Sequence, residues 1–183
     1  MIDGNAMLSL MKSRQSDRKY LDRPVEGEKI ERITEAGRLS PSACNGQPWR
    51  FIVVDEPDLR RKVASATESE ILRMNTFVQQ APALIVIVRE KSNFTSRAGD
   101  LIKQKNYSVI DIGIAAASII YQATAEGLGT CILGWFDEKK IRELLGIPKS
   151  KKVELVISVG YTDNRLRDKM RKPPGEVTTF NRY

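Results

Sequence analysis

Two kinds of apolar pattern alternate along the chain, and together they predict a sheet packed between helices. Short runs that are apolar at every position are typical of strands covered on both faces. Such runs predict strands at 50–55, 83–88 and 153–159, and a short strand with a turn over 130–136. Helical stripes separate these runs. We therefore expect one α+β domain over residues 1–183, an α/β sandwich whose strand order a single sequence does not reveal.

Apolar residues spaced three and four apart predict the helices around this sheet. The predicted helices cover 6–14, 28–39, 56–67, 69–79, 109–127 and 137–145. The segment 109–127 has almost no polar face. A helix that is apolar nearly all round must be buried, so this segment predicts a long central core helix.

Composition limits the class of protein. A chain of 183 residues with 41% hydrophobic residues is expected to fold as an ordinary globular domain. The weakly polar run 112–125 is too short and too polar to span a bilayer, and the N-terminus lacks a signal-peptide pattern. We therefore expect a cytoplasmic protein without a membrane segment. Its two cysteines, Cys44 and Cys131, are expected to be reduced packing residues.

The absence of histidine excludes more chemistry than any single motif indicates. The chain has no histidine, so it cannot build a Ser-His-Asp triad, a Cys-His pair or a histidine-ligated metal site. We expect no metal site. An enzyme of this composition must move protons with Asp, Glu, Lys or Tyr, or must use a cofactor that carries the chemistry.

Basic residues form two clusters near opposite ends of a chain whose formal net charge is +7. The first, residues 13–19, contains Arg14, Ser16 and Arg18; the second, residues 165–172, contains Lys169 and Arg171. Guanidinium groups and a hydroxyl are the donors that a phosphate group prefers. Each cluster alone also fits a solvated basic surface or a nucleic-acid contact. Folded together, the two clusters would hold one phosphate from two sides.

A loop rich in small polar residues joins the second predicted helix to the first strand. Residues 40–48 lie between helix and strand and include two prolines, which fix the shape of the loop. Small side chains let backbone amides approach a ligand closely, and Asn45 and Gln47 offer both donors and acceptors to the edge of a planar heterocycle. An ordered turn without a ligand is the alternative reading.

The run Ser-Pro-Ser-Ala-Cys-Asn-Gly-Gln-Pro-Trp-Arg-Phe at 40–51 resembles the signature loop of the FMN-dependent nitroreductase family. Two further motifs follow the family's order: Arg-x-Ser-x-Arg at 14–18, and Lys-x-Arg before proline at 169–173. The resemblance covers most of the chain. It implies a central, mostly antiparallel sheet flanked by helices, and a homodimer in which a C-terminal extension reaches the partner subunit.

The resemblance also implies which residues bind FMN at the dimer interface. Arg14 and Ser16 fall on the phosphate and ribityl contacts, and Lys169 and Arg171 fall on the phosphate. Gln15 supplies backbone and side-chain contacts, and Arg18 falls near the pyrimidine edge of the flavin. The signature loop of the other subunit supplies Pro41, Ser42, Ala43, Asn45 and Gln47. Backbone over the flavin corresponds to Leu133, Gly134 and Trp135, where Trp135 replaces the second glycine of the family. Residues 93–105 fall in the family's lid region and are expected to form the mobile rim of an open, shallow site.

The implied chemistry is ping-pong hydride transfer. NADH or NADPH reduces the flavin at N5, and a small organic oxidant, such as a nitroaromatic or a quinone, then takes the electrons. No protein residue is needed as a catalytic acid or base, which agrees with a chain without histidine. Three alternatives stay open: a flavin-binding protein without turnover, a basic nucleic-acid-binding domain, and a thiol enzyme that uses Cys44. The thiol enzyme is the least favoured, because nothing in the sequence activates the thiol. A nucleic-acid-binding surface is disfavoured because aromatic residues make up only 7% of the chain.

Overall fold

The structure, a computed structural model, describes residues 3–69, 74–91 and 105–183. The α-helices are α1 Gly4–Ser13, α2 Gly27–Arg38, α3 Pro57–Thr67, α4 Tyr107–Ala125, α5 Glu138–Leu145 and the short α6 Pro174–Val177. The strands are β1 Trp49–Val54, β2 Ala83–Arg89, β3 Gly129–Leu133 and β4 Lys152–Gly160. Two 3-10 turns occupy Ala43–Asn45 and Thr76–Gln80.

The four strands form one antiparallel sheet in the order β1-β2-β4-β3. Central strand β2 is buried over six consecutive residues from Ala83 to Val88, because helices cover both of its faces. Leu84, Val86 and Val88 pack toward α3 and α5 on one side. The residues between them pack toward α2 and α4 on the other side. This alternation confirms the predicted sandwich and explains why the run is apolar at every position.

Edge strand β1 is less covered than the sequence predicts. Phe51, Ile52 and Val53 are only partly buried, because in the described sheet β1 pairs on one side alone. A continuous apolar run therefore marks an edge strand here as well as a central one.

Helix α4 is the predicted central helix, and its inner side packs against α2 and the sheet. Its outer side is not buried: Val109, Ile110 and Ile114 are each more than a third exposed. By length and composition alone, this helix of 19 residues is long and apolar enough to cross a membrane. The run 112–125, which is too short and too polar to span a bilayer, is only part of it. The packing of its inner side is that of a core helix in a folded domain.

Two local predictions are wrong. The segment predicted as a helix at 69–79 instead contains an antiparallel bridge between Ser69 and Met74 and a 3-10 turn that starts after Asn75, whose φ is 66°. The apolar residues of helix α1, which are Met7, Leu8, Leu10 and Met11, predict an inner side that faces the core. None of them is buried: Met7, Leu8 and Met11 are exposed and Leu10 is only partly buried. The predicted rim at 93–105 lies outside the described residues except for exposed Lys105.

A bidentate ion pair fastens α2 to the end of α4, and we expect it to contribute pH-dependent stability. Arg32 Nε and Nη2 donate to the two carboxylate oxygens of Glu126 at 2.7 and 2.9 Å. These hydrogen bonds from Arg32 lower the pKa of Glu126 from 4.5 to about 2. A lowered folded-state pKa gives stability that is present above the unfolded value and is lost as the pH falls toward the folded value.

Glu126→Gln should therefore lower the melting temperature at neutral pH, and the difference from wild type should shrink as the pH falls from about 4.5 toward about 2. Thermal unfolding followed by circular dichroism across this range measures the effect. Glu35→Gln, which removes the exposed pair with Arg38 within α2, is the matched control and should have a smaller effect at neutral pH. A Glu126→Gln deficit that stays constant with pH would contradict this role.

Candidate functional site

The segment after α1 runs alongside edge strand β3. Ser16 and Thr130 form a parallel bridge, and the Asp17 N–H donates to the Thr130 carbonyl at 2.9 Å. Because the two segments are parallel, Arg14 lies toward the start of β3 and Arg18 toward its end. Four residues of extended chain span about 13 Å, so the two guanidinium groups are spread along this edge of the sheet.

The chain after β4 returns to the same place, and three hydrogen bonds fasten it there. Gln15 Nε2 donates to the Arg165 carbonyl at 3.2 Å, and the Arg167 N–H donates to Gln15 Oε1 at 3.1 Å. Arg167 Nη2 also donates to the Ser16 carbonyl at 2.8 Å. Further along, the Lys169 ammonium donates to the Arg14 carbonyl. Residues separated by about 150 positions in sequence thus meet in one site.

These contacts surround a cavity of about 370 Å³. Its lining contains every residue of the N-terminal and C-terminal segments that is predicted to contact FMN, together with Arg167, Asp168 and Met170: Arg14, Gln15, Ser16, Arg18, Lys169 and Arg171. A smaller adjoining cavity of about 250 Å³ lies between residues 15–19 and 164–167. The predicted convergence of the two basic clusters therefore occurs within a single chain.

The electrostatics of the larger cavity favour an anion. The pKa of Lys169 is lowered, first by its burial and then by the positive charges of Arg14, Arg171 and Arg167. Cations that repel one another in this way are stabilised by a bound anion. The arrangement therefore suits a phosphate group, which accepts several charge-assisted hydrogen bonds at once.

Buried Cys131 lies beneath this site on β3. Burial raises the pKa of its thiol, against the opposing effects of nearby Arg18 and the Ser16 hydroxyl. A thiol that stays protonated is a poor nucleophile, so Cys131 is a packing residue, as predicted. Cys44 instead is exposed and belongs to the signature loop. Among the described residues, no cluster of acidic or cysteine side chains could hold a metal ion.

The signature loop has an unusual backbone. Cys44, Asn45 and Gln47 have φ values of 51°, 52° and 44°, a left-handed conformation that non-glycine residues adopt at a cost. Side chains hold it in place: Ser42 Oγ accepts from the Gln47 N–H at 3.0 Å, and the buried Asp111 Oδ1 accepts from the Ala43 N–H at 3.1 Å. The sequence predicted a rigid loop from its prolines, but did not predict that Asp111 of α4 fastens it.

In the part of the chain that the structure describes, the loop lies apart from both cavities lined by the cations. Gln47 lines a separate cavity of about 550 Å³ beside Trp49, Phe51 and α2, and no loop residue lines either basic cavity. The predicted FMN contacts at Pro41, Ser42, Ala43, Asn45 and Gln47 are thus not brought to the cations by the fold of a single chain.

The third predicted group, Leu133 to Trp135, lies where β3 ends. Leu133 is buried, whereas Trp135 is 54% exposed and its carbonyl accepts from Asn75 Nδ2 at 3.3 Å. No atom lies within 4 Å of a Cβ built on Gly134, so space is open above this backbone. Strand β3 ends at Leu133, so Gly134 and Trp135 lie beyond the end of the strand toward which Arg18 is placed. The indole therefore borders open surface at the far end of the same sheet edge.

Sequence reasoning missed three residues that organise the site: Asp17, Asn164 and Arg167. Asp17 was read as part of a charged run, although it is only 5% exposed. Arg167 lines both basic cavities. The sequence signal for Arg167 is its place two residues before Lys169, which puts it in the same returning segment.

Comparison with known proteins gives consistent results. A family model described as "Nitroreductase family" matches residues 11–75 and 70–161. An Archaeoglobus fulgidus protein whose name includes NAD(P)H nitroreductase is 34% identical over 158 residues, which cover 84% of each chain. The structure of an FMN-dependent nitroreductase from Clostridium difficile R20291 is 30% identical, with a TM-score of 0.77 and coverage of 97% of this chain and 100% of that one. A Bacteroides thetaiotaomicron structure described with NAD(P)H nitroreductase in its name has a TM-score of 0.81 at 25% identity, covering 99% and 100% of the two chains.

The lowered pKa of Lys169 predicts how anion binding depends on pH. Sulfate keeps its charge in alkaline solution, so a change in its binding reports on the protein. Stabilisation by sulfate should already fall as the pH rises toward the ordinary lysine pKa of 10.5, because Lys169 loses its proton at a lower pH than an ordinary lysine. The rise in melting temperature on adding sulfate measures this effect.

Lys169→Arg is the matched control, because arginine stays charged over this range. Its stabilisation by sulfate should decline less with pH than that of the wild type. Identical pH profiles for the two proteins would show that Lys169 does not take part in anion binding.

Proposed function

This chain belongs to the nitroreductase family, and we propose that it is an FMN-dependent oxidoreductase that uses NADH or NADPH to reduce a small organic acceptor. Family membership and the names of its relatives support NAD(P)H-dependent oxidoreduction. The observation that carries the cofactor assignment is the convergence of Arg14, Lys169 and Arg171 around one cavity. When bound, FMN supplies the redox chemistry by taking a hydride from the nicotinamide and passing reducing equivalents to the acceptor in a ping-pong cycle.

The residues of the chain then have separate tasks. Arg14, Lys169 and Arg171, with the Ser16 hydroxyl, hold the phosphate. Arg18, further along the β3 edge, faces the pyrimidine end of the flavin and stabilises negative charge there. The backbone of Gly134 and Trp135 lies near the reacting end, and the exposed indole forms one wall of the space for the acceptor. Protons come from solvent, because the flavin carries the hydride and no protein acid or base is required.

We further propose that the active protein is a homodimer with FMN at the interface. Three exposed apolar surfaces of the chain support this. They are the outer sides of α1 and α4 and the C-terminal segment, with these side chains: Met7, Leu8, Met11, Val109, Ile110, Ile114, Val177, Phe180 and Tyr183. Large exposed apolar patches mark protein interfaces. A second copy also supplies the signature loop that the fold of one chain keeps apart from the cations, and receives the C-terminal extension.

The cofactor proposal is tested by spectroscopy of the purified protein. We expect a yellow protein that is bleached by NADH or NADPH without oxygen and regains its colour when a nitroaromatic or a quinone is added. A yellow protein that neither nucleotide bleaches would indicate flavin binding without turnover. A colourless protein that binds DNA with strong salt dependence would contradict the proposal and favour the nucleic-acid alternative.

Arg171→Ala should weaken FMN binding by about tenfold or more, since it removes a charge-assisted contact to the phosphate. Quenching of flavin fluorescence on titration measures the dissociation constant. Lys172→Ala, which removes the adjacent exposed cation, is the matched control and should change the constant much less. Equal effects of the two substitutions would show that Arg171 contributes only general positive charge and no specific contact with the phosphate.

Ile110→Glu should convert the protein to a monomer and abolish FMN binding, because it places a charge on the exposed apolar side of α4. Sedimentation velocity and flavin content measure the two effects, and Ile110→Leu should preserve both. Since Ile110 is 52% exposed in the single chain, the fold itself should tolerate the charge. A dimer that retains FMN after this substitution would place the interface elsewhere.

A further inference from the structure

A buried carboxylate, Asp17, lies at the centre of the hydrogen bonds that assemble the anion site. Asp17 is 5% exposed, and its Oδ1 accepts from Gln15 Nε2 at 3.0 Å and from Asn164 Nδ2 at 2.9 Å. The first donor comes from the segment after α1 and the second from the segment after β4. One carboxylate oxygen therefore joins the two parts of the chain that carry the cations.

The contact with Asp17 sets the orientation of the Gln15 amide. Because Gln15 Nε2 donates to Asp17 and to the Arg165 carbonyl, Gln15 Oε1 faces the other way. There it accepts from the backbone N–H of Arg167 at 3.1 Å and from Arg167 Nε at 3.4 Å. If the Gln15 amide were rotated by half a turn, its NH₂ group would face the two N–H donors of Arg167 and could accept neither hydrogen bond. The carboxylate thus fixes the amide, and the amide fixes Arg167.

Close packing leaves the carboxylate little freedom. A Cβ added to Gly129 would lie 2.7 Å from Asp17 Oδ2 and 2.8 Å from Thr162 Cγ2, so only glycine at 129 admits this arrangement. The Tyr20 hydroxyl also donates to the Asp17 carbonyl at 3.0 Å. Asn164 Nδ2 makes a second contact, to the Lys19 carbonyl at 3.2 Å.

We propose that Asp17 is a positioning residue that assembles the anion site before any anion binds. Through Gln15 and Asn164 it holds the returning segment 164–169 against residues 14–16, so the cations of both segments face one cavity in the free protein. A ligand then binds without first ordering the segment, which preserves affinity. The choice of FMN as ligand rests on the proposed function, whereas the positioning role applies to any phosphate-like anion.

The negative charge of Asp17 and its positioning role predict opposite effects on anion binding when Asp17 is replaced. A carboxylate beside an anion site repels the anion, so its removal should strengthen binding if charge alone mattered. If Asp17 acts by position, its removal should weaken binding despite the more positive site. The sign of the change therefore separates the two explanations.

The test compares Asp17→Leu, Asp17→Asn and Asn164→Ala with the control Asp163→Asn. Asp163 is an exposed carboxylate that pairs with Lys19 and makes no described contact with Gln15 or Arg167. We expect Asp17→Leu to weaken FMN binding about tenfold or more. Asn164→Ala should weaken it less, and Asp17→Asn, which keeps one acceptor oxygen, should recover most of the affinity lost in Asp17→Leu. Asp163→Asn should leave binding unchanged or slightly tighter.

Two measurements without flavin keep this test independent of the proposed function. Hydrogen exchange of the Arg167 amide should speed up in Asp17→Leu and Asn164→Ala, and stabilisation by sulfate should fall in both. If the wild type binds no flavin, these two results still decide the positioning role. If Asp17→Leu does not fold, Asn164→Ala carries the test, because Asn164 is only half-buried.

The proposal is overturned if the variants bind FMN or sulfate as tightly as the wild type or more tightly. It is equally overturned if the Arg167 amide keeps its protection when the acceptor at position 17 is removed.

Discussion

The cationic side chains of the anion site repel one another. Hydrogen bonds to neutral groups hold these side chains together before an anion binds. Lys169 donates to the carbonyl of Arg14, and Arg167 donates to the carbonyl of Ser16 and to Gln15. These contacts offset the repulsion among the cations, which adds to the effect of burial in lowering the pKa of Lys169. The rest of the structure serves this arrangement, because β3 supplies the straight edge along which residues 14–18 lie.

The composition of the chain and the design of the site agree with each other. A protein without histidine has few groups for acid–base catalysis, and this site contains binding groups instead. The phosphate-binding cations lie at one end of the β3 edge, and the open backbone with the exposed indole lies at the other. This arrangement matches a long ligand that has an anionic tail and a planar reactive end. The strained signature loop, held by Asp111, is a second preformed element. In the proposed homodimer, the partner subunit supplies it.

Sequence patterns predicted those elements whose packing lies within the chain. Strand β2 and helix α2 were predicted nearly to the residue, because the faces that their patterns mark are buried against neighbours in the same chain. Helix α1 was found, but its apolar side was assigned wrongly to the core: among the described residues, Met7, Leu8 and Met11 stay exposed. The helix predicted at 69–79 failed where Asn75 adopts a left-handed conformation that no periodicity reveals.

The site was predicted only in part, for a different physical reason. Contacts between residues about 150 positions apart leave no local pattern, so the convergence of the cations was inferred from the family resemblance and then found in the fold. Asp17 was overlooked because an acid between basic residues resembles ordinary local charge balance. Its burial and its two amide donors become visible only when the segment after β4 is in place.

A crystal structure of the protein grown with FMN tests the central claim most directly. The account predicts two copies of the chain, with the flavin phosphate within hydrogen-bonding distance of Arg14, Lys169 and Arg171 of one copy and the signature loop of the other copy against the ring. A phosphate bound elsewhere, with Lys169 still donating to the Arg14 carbonyl and the cavity filled by solvent, would contradict it.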